Sequence, residues 1–136
     1  MSSSALDSLL ELMREMKEWE TDFCTAQDKA DENDLDISGV RDEYATKLRD
    51  ILNRYCLDQG LNKERLADLG STIPVTYDPG RDEVEAESGS DAIYIVKQAA
   101  GFKSVFRFSM IFKGENWLVQ KKERLNESGK WVASTV

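Results

Sequence analysis

The sequence predicts an α+β fold in which N-terminal helices lie across a curved antiparallel sheet. Three observations carry that expectation. Up to Gly70 the apolar residues recur at three- and four-residue steps, the period of helices with one buried face. Beyond Gly70 they alternate instead, most clearly over residues 104–113, where Phe106, Phe108, Met110 and Phe112 share one parity and Val105, Arg107, Ser109, Ile111 and Lys113 the other. The chain has 136 residues, 40% hydrophobic and 32% charged, a size and balance suited to a single domain over 1–136 with one core, helices in 4–70 and the sheet in 71–136.

The elements follow in order. Ser4 and Asp7 resemble a capping box, with Asp in the place usually held by Glu. They open a first helix, to about Lys29, bearing Leu6, Leu9, Leu10, Met13, Met16 and Phe23. The polar run 31–36 breaks the pattern. Ser38 then caps a second helix that carries Val40, Tyr44, Leu48, Ile51, Leu52 and Tyr55 and stops near Gly60. Asn62 caps a short third helix over 63–69, ended by Gly70.

Short strands are expected at 73–77 and 83–87, on either side of the turn formers Asp78, Pro79 and Gly80. Ser88, Gly89 and Ser90 lead to a strand over 92–99. The strand 104–113 turns through Gly114, Glu115 and Asn116 into 117–124, where Trp117, Val119 and Lys121 alternate with Leu118, Gln120 and Lys122. A last strand holds Trp131 and Val132. Helices lying across the concave face of such a meander would put Leu9, Met13, Leu48, Ile51, Phe106, Phe108 and Phe112 in one core, with Trp117 beside them. The interior is expected to be filled by Leu and Met side chains rather than to hold a small ligand.

Net charge is −8 and uneven: residues 1–70 hold 17 acidic and 9 basic residues, whereas residues 71–136 hold 9 of each. Such a field repels phosphate backbones and attracts basic surfaces, so no nucleic-acid ligand is expected. No run approaches the roughly 20 apolar residues of a membrane span. The first sixteen residues lack the positive start and apolar stretch of a secretory signal. A cytoplasmic chain with two free thiols, Cys24 and Cys56, is the resulting expectation.

The chemistry that would mark an enzyme is sparse. The chain has no histidine, which removes the commonest general base and metal ligand together. Cys24 and Cys56 stand too far apart for a zinc site, and neither a P-loop nor a dinucleotide-binding glycine motif occurs. No metal and no cofactor is expected. Tyr44, Tyr55, Tyr77 and Tyr94 could donate to an oxyanion, but read more simply as half-buried core residues. Asp82, Glu83, Glu85, Glu87 and Asp91 lack the spacing of a calcium loop and read as an acidic strand edge and loop.

The aromatic strand 105–112, the tight turn Lys113-Gly114-Glu115-Asn116 and the following Trp117-Leu118-Val119 resemble the sheet of the nuclear transport factor 2-like superfamily. That resemblance implies a helix-plus-sheet cone shared by ketosteroid isomerases, scytalone dehydratases and many binding domains. The Tyr and Asp pair of its catalytic branch has no assignable positions here. The tail, from Gln120-Lys121-Lys122-Glu123-Arg124 to Asn126-Glu127-Ser128-Gly129-Lys130-Trp131, is similar to the ending of bacterial immunity proteins with this fold. The resemblance implies a non-enzymatic protein that binds and neutralises a cognate toxin. The alternatives are a non-catalytic binding or assembly domain and a small isomerase- or dehydratase-like enzyme. With the charge distribution, the toxin reading predicts a basic partner that meets Glu83, Glu85, Glu87 and Asp91, or else the helical set Asp28, Asp31, Glu32 and Asp34. A homodimer stays open.

Overall fold

The computed structural model describes residues 4–57, 65, 69, 75–90 and 92–136. Helix α1 spans Ala5–Glu32, with Ser4 as N-cap: its hydroxyl accepts a hydrogen bond from the Asp7 amide at 3.1 Å, satisfying one of the free donors of the first turn. The helix runs beyond Lys29 because 29–32 keep helical geometry until Asn33, whose amide bonds back to Lys29 and whose side-chain Nδ2 donates to the same carbonyl at 2.8 Å. Its buried stripe, Leu9, Leu12, Met13, Met16, Trp19 and Phe23, holds the three- and four-residue steps of one face.

Helix α2, Ser38–Tyr55, starts one residue differently from expectation. Ile37 is its N-cap and offers no side-chain bond, while the Ser38 amide donates to Asp36 Oδ1 at 2.9 Å. It also ends earlier than Gly60. Cys56 turns extended and pairs with Val119 as an isolated parallel bridge, and the Leu57 amide donates to the Val119 carbonyl at 2.9 Å. A sheet contact that no local signal announces therefore ends the helix. The expected third helix lies almost wholly outside the described residues, as do the first two residues of the expected strand 73–77; Val75, Thr76 and Tyr77 are described and are not a strand.

Five strands form one antiparallel meander in sequence order: β1 Glu83–Ala86, β2 Ile93–Lys97, β3 Val105–Lys113, β4 Asn116–Leu125 and β5 Trp131–Ala133. The β3–β4 connection is a two-residue turn with Gly114 at φ 60° and Glu115 at φ 67°, the double left-handed geometry that matches strand twist in tight hairpins. One face of the sheet takes the helices, α1 against β3 and β4 and α2 against β4. The core joins the stripe of α1 and Leu48, Ile51 and Leu52 of α2 to Tyr94, Val96, Phe106, Phe108, Met110 and Val119. Leu9, Leu12, Met13, Met16, Leu48 and Leu52 of the helices pack against this face of the sheet.

Two expectations need correction. Phe112 is 49% exposed rather than part of the core; near the hairpin tip it packs on Trp117, with ring centroids 5.4 Å apart. The alternation of β4 also reverses midway. Ser109 pairs with Lys121 but Met110 pairs with Val119, so Gln120 is an extra, unpaired residue in a bulge. One extra residue flips the parity of everything after it. Lys122 therefore shares the helix-covered face with Val119, and Lys121 points the other way.

Candidate functional site

The predicted contact residues Glu83 and Glu85 sit on β1, an edge strand, and both are exposed. Period-two geometry puts them, with Glu87 just beyond the strand, on the sheet face away from the helices. Glu83 stands across from Lys97 and Glu85 across from Ile95. Among the described residues neither carboxylate has an ion-pair partner.

Glu87 differs, because Arg107 Nη1 lies 3.6 Å from its carboxylate. Arg107 also donates through Nε to Glu123 Oε1 at 3.0 Å and lies 4.5 Å over the Trp131 ring, while Lys121 adds a second cation to Glu123 at 3.5 Å. The hydrogen bond from Arg107 holds the Glu123 carboxyl below the usual carboxylate range. The open sheet face thus carries a balanced row of Glu87, Arg107, Glu123 and Lys121. Glu83 and Glu85, at the β1 edge, stand outside that row. Asp91, the fourth predicted residue, lies outside the described residues.

The helical acidic set is less mobile than a loop would be. Asp28, Asp31 and Glu32 are exposed residues of the last turns of α1, and only Asp34 lies beyond it, with φ 55°. Rigidity therefore does not favour the sheet edge over this set.

A third group was not legible in the sequence. Lys122 is 6% exposed, and its Nζ donates to Tyr77 Oη at 2.6 Å and to the Thr135 carbonyl at 2.7 Å. It lies 4.0 Å from the centroid of the Phe106 ring and 5.0 Å from that of Tyr77. Burial first, then the charges of Arg65 and Arg124, pull the amine down to about 7. Burial likewise pushes the Cys56 thiol up to about 12 and raises the Tyr77 phenol. Nearby, the buried carboxylate of Glu20 accepts from the Thr76 amide at 2.9 Å and from its hydroxyl at 3.1 Å.

An amine, a phenol and a carboxylate are the raw material of acid-base catalysis. Here Lys122 Nζ is buried and makes two hydrogen bonds within the protein, which tie β4 to Tyr77 and to the C-terminal residues across the aromatic interior. The signal that could have found it is the run Gln120-Lys121-Lys122, but choosing which lysine turns inward requires the bulge. Among the described residues no group of three or more Cys, Asp or Glu side chains is placed to hold a metal ion. No described helix is long and apolar enough to cross a membrane.

Comparison with known proteins adds family evidence to this geometry. Residues 4–135 match the sequence family described as NTF2 fold immunity protein. The chain is also similar to the immunity protein RhsIA of Dickeya dadantii (strain 3937), with 24% identity over 132 residues, 96% of this chain and 94% of that protein. No solved structure matches.

Proposed function

Because the chain belongs to the NTF2-fold immunity proteins, we propose that it works without catalysis, by binding a cognate bacterial toxin in the cytoplasm and blocking it. The observation that carries this reading is the family match over nearly the whole chain. The surface adds the kind of partner. A net charge of −8 draws a basic toxin towards it and speeds encounter, and exposed carboxylates at an interface rim act mainly on the association rate. Within the β1 set Glu83 and Glu85 are the best placed, because both are exposed and neither makes an ion pair among the described residues. Glu87 contributes less, since Arg107 already holds it. Asp91 completes the proposed set by its place in the sequence.

The test is co-expression with the product of the adjacent gene, followed by binding of the purified pair at increasing salt. Rescue of growth and an association rate that falls steeply with salt are expected. Growth that does not depend on this protein would refute the toxin reading. Binding left unchanged when Glu83, Glu85 and Glu87 are all reversed to Lys would refute the β1 edge as the contact.

A further inference from the structure

The backbone of β1 forms one edge of the sheet, and its register with β2 decides which groups look outward. Glu83 stands across from Lys97 and Glu85 across from Ile95, and the ladder continues in the bond from the Glu87 amide to the Ile93 carbonyl at 2.8 Å. In an antiparallel pair such residues alternate with others whose N–H and C=O point the opposite way. Val84 and Ala86 therefore turn their amides and carbonyls away from β2. No other strand of the described structure lies on that side, and these four backbone groups have no partner among the described residues.

Edge strands are commonly closed to pairing by a proline, a bulge, an inward-pointing charge or a covering segment. Residues 83–86 hold no proline, their register with β2 has no shift, and the side chains on the helix side are those of Val84 and Ala86. What guards this edge is charge of one sign. Glu83 and Glu85 are exposed and have no ion-pair partner among the described residues. Like charges set beside each other destabilise a strand pair, whereas opposite charges favour it. A second copy offers either β1, which is repelled, or β5, Trp131–Ala133, which carries no cation.

We propose that β1 takes up, as an added strand, an extended segment of the toxin with lysine or arginine at alternate positions. The proposal rests on the toxin-binding reading and adds that main-chain hydrogen bonds, and not the carboxylates alone, make the contact. The period of two sets the pattern of the segment. Residues beside Glu83 and Glu85 on the open side of the sheet are basic. Those between them lie beside Val84 and Ala86 on the helix side, where Val84 packs against the core, and are apolar. Backbone bonds then supply the affinity, and the charges choose the partner.

Amide hydrogen exchange followed by NMR, on the protein alone and in complex with the product of the adjacent gene, tests the strand directly. On binding, the amides of Val84 and Ala86 should gain at least about tenfold more protection than those of Glu85 and Glu87, which already face β2. A complex without added protection at Val84 and Ala86 overturns the added strand and leaves the toxin reading standing. A gene product that does not bind overturns the toxin reading, and the proposal with it. Slow exchange of both amides in the protein alone, together with sedimentation as a dimer, gives the edge to a second copy and equally overturns the proposal. Ala86→Pro is the second probe. It deletes one outward amide while both glutamates stay, and edge strands accept proline where the N–H faces solvent. Toxin affinity should fall by at least about tenfold, whereas Ala86→Ser, which keeps the amide, should leave it unchanged. Equal affinity of the proline variant and the parent overturns the main-chain contact. Should the proline disturb the pairing of β1 with β2, the exchange pattern of the parent complex decides. Undiminished affinity of a Glu83→Gln and Glu85→Gln double variant overturns the basic character of the segment.

Discussion

Replacing Lys122 by Met should remove a pH dependence that the parent protein owes to one side chain. In the unfolded chain the amine titrates near 10.5, whereas in the fold it does so at about 7. Between those values the unfolded state holds one proton more than the folded state, so stability rises with pH. The maximal gradient for one proton is about 1.4 kcal/mol per pH unit. Below pH 7 both states are protonated and the full cost of burying the charge is present. Above it the neutral amine keeps two hydrogens, enough for both Tyr77 Oη and the Thr135 carbonyl.

Two groups bound the window from above. The Cys56 thiol, pushed from 9.0 up to about 12, and the raised Tyr77 phenol contribute stability that is lost as pH climbs past their unfolded values. The clean interval is therefore pH 7 to 9, over which the parent should gain about 2 kcal/mol. Urea denaturation at pH 7, 8 and 9 measures it. The Met variant should show no such gain. At pH 7 it should match or exceed the parent, because removal of the buried amine outweighs the roughly 1 to 3 kcal/mol lost in leaving Tyr77 and Thr135 without their donor. A parent whose stability is flat over that interval, or a Met variant with the same gradient, would refute the account of Lys122.

Phe108 is fully buried, so Phe108→Ala should cost about 3 to 5 kcal/mol; Phe112→Ala, at an exposed position, should cost much less, and equal losses in urea titrations would contradict the placement of the two rings. Ser4→Ala removes the cap on the Asp7 amide and should lower stability by about 1 kcal/mol, seen as earlier thermal loss of helical circular dichroism. Arg107→Met should return the Glu123 carboxyl towards its ordinary range. Because that carboxyl is depressed in the fold, its contribution is present above its unfolded value of 4.5 and lost on acidification, so the variant should lose less stability between pH 5 and 3 than the parent. Carboxyl resonances that titrate identically in both proteins would remove Arg107 as the cause.

By itself the sequence determined whatever depends on neighbours along the chain. The stripe of α1, its Ser4 cap, the aromatic parity of β3 and the Gly114-Glu115 turn all follow from periods and local backbone preferences. The shared face of Glu83, Glu85 and Glu87 is equally local, since alternate residues of a strand point the same way. Tertiary structure decided the rest. The bridge from Cys56 to Val119 ended α2 before Gly60, and Phe112, near the hairpin tip, is left half-exposed. A single extra residue at Gln120 chose Lys122 over Lys121 for the interior. Charge followed the same division: Glu15, Glu18 and Asp22 are aligned by helical spacing, but only the packing of α2 brings Arg54 to bind one of them. Side-chain direction is a local property of regular backbone. Which cation reaches which carboxylate, and which face meets a neighbour, depends on residues far apart in the chain, to which no periodicity extends.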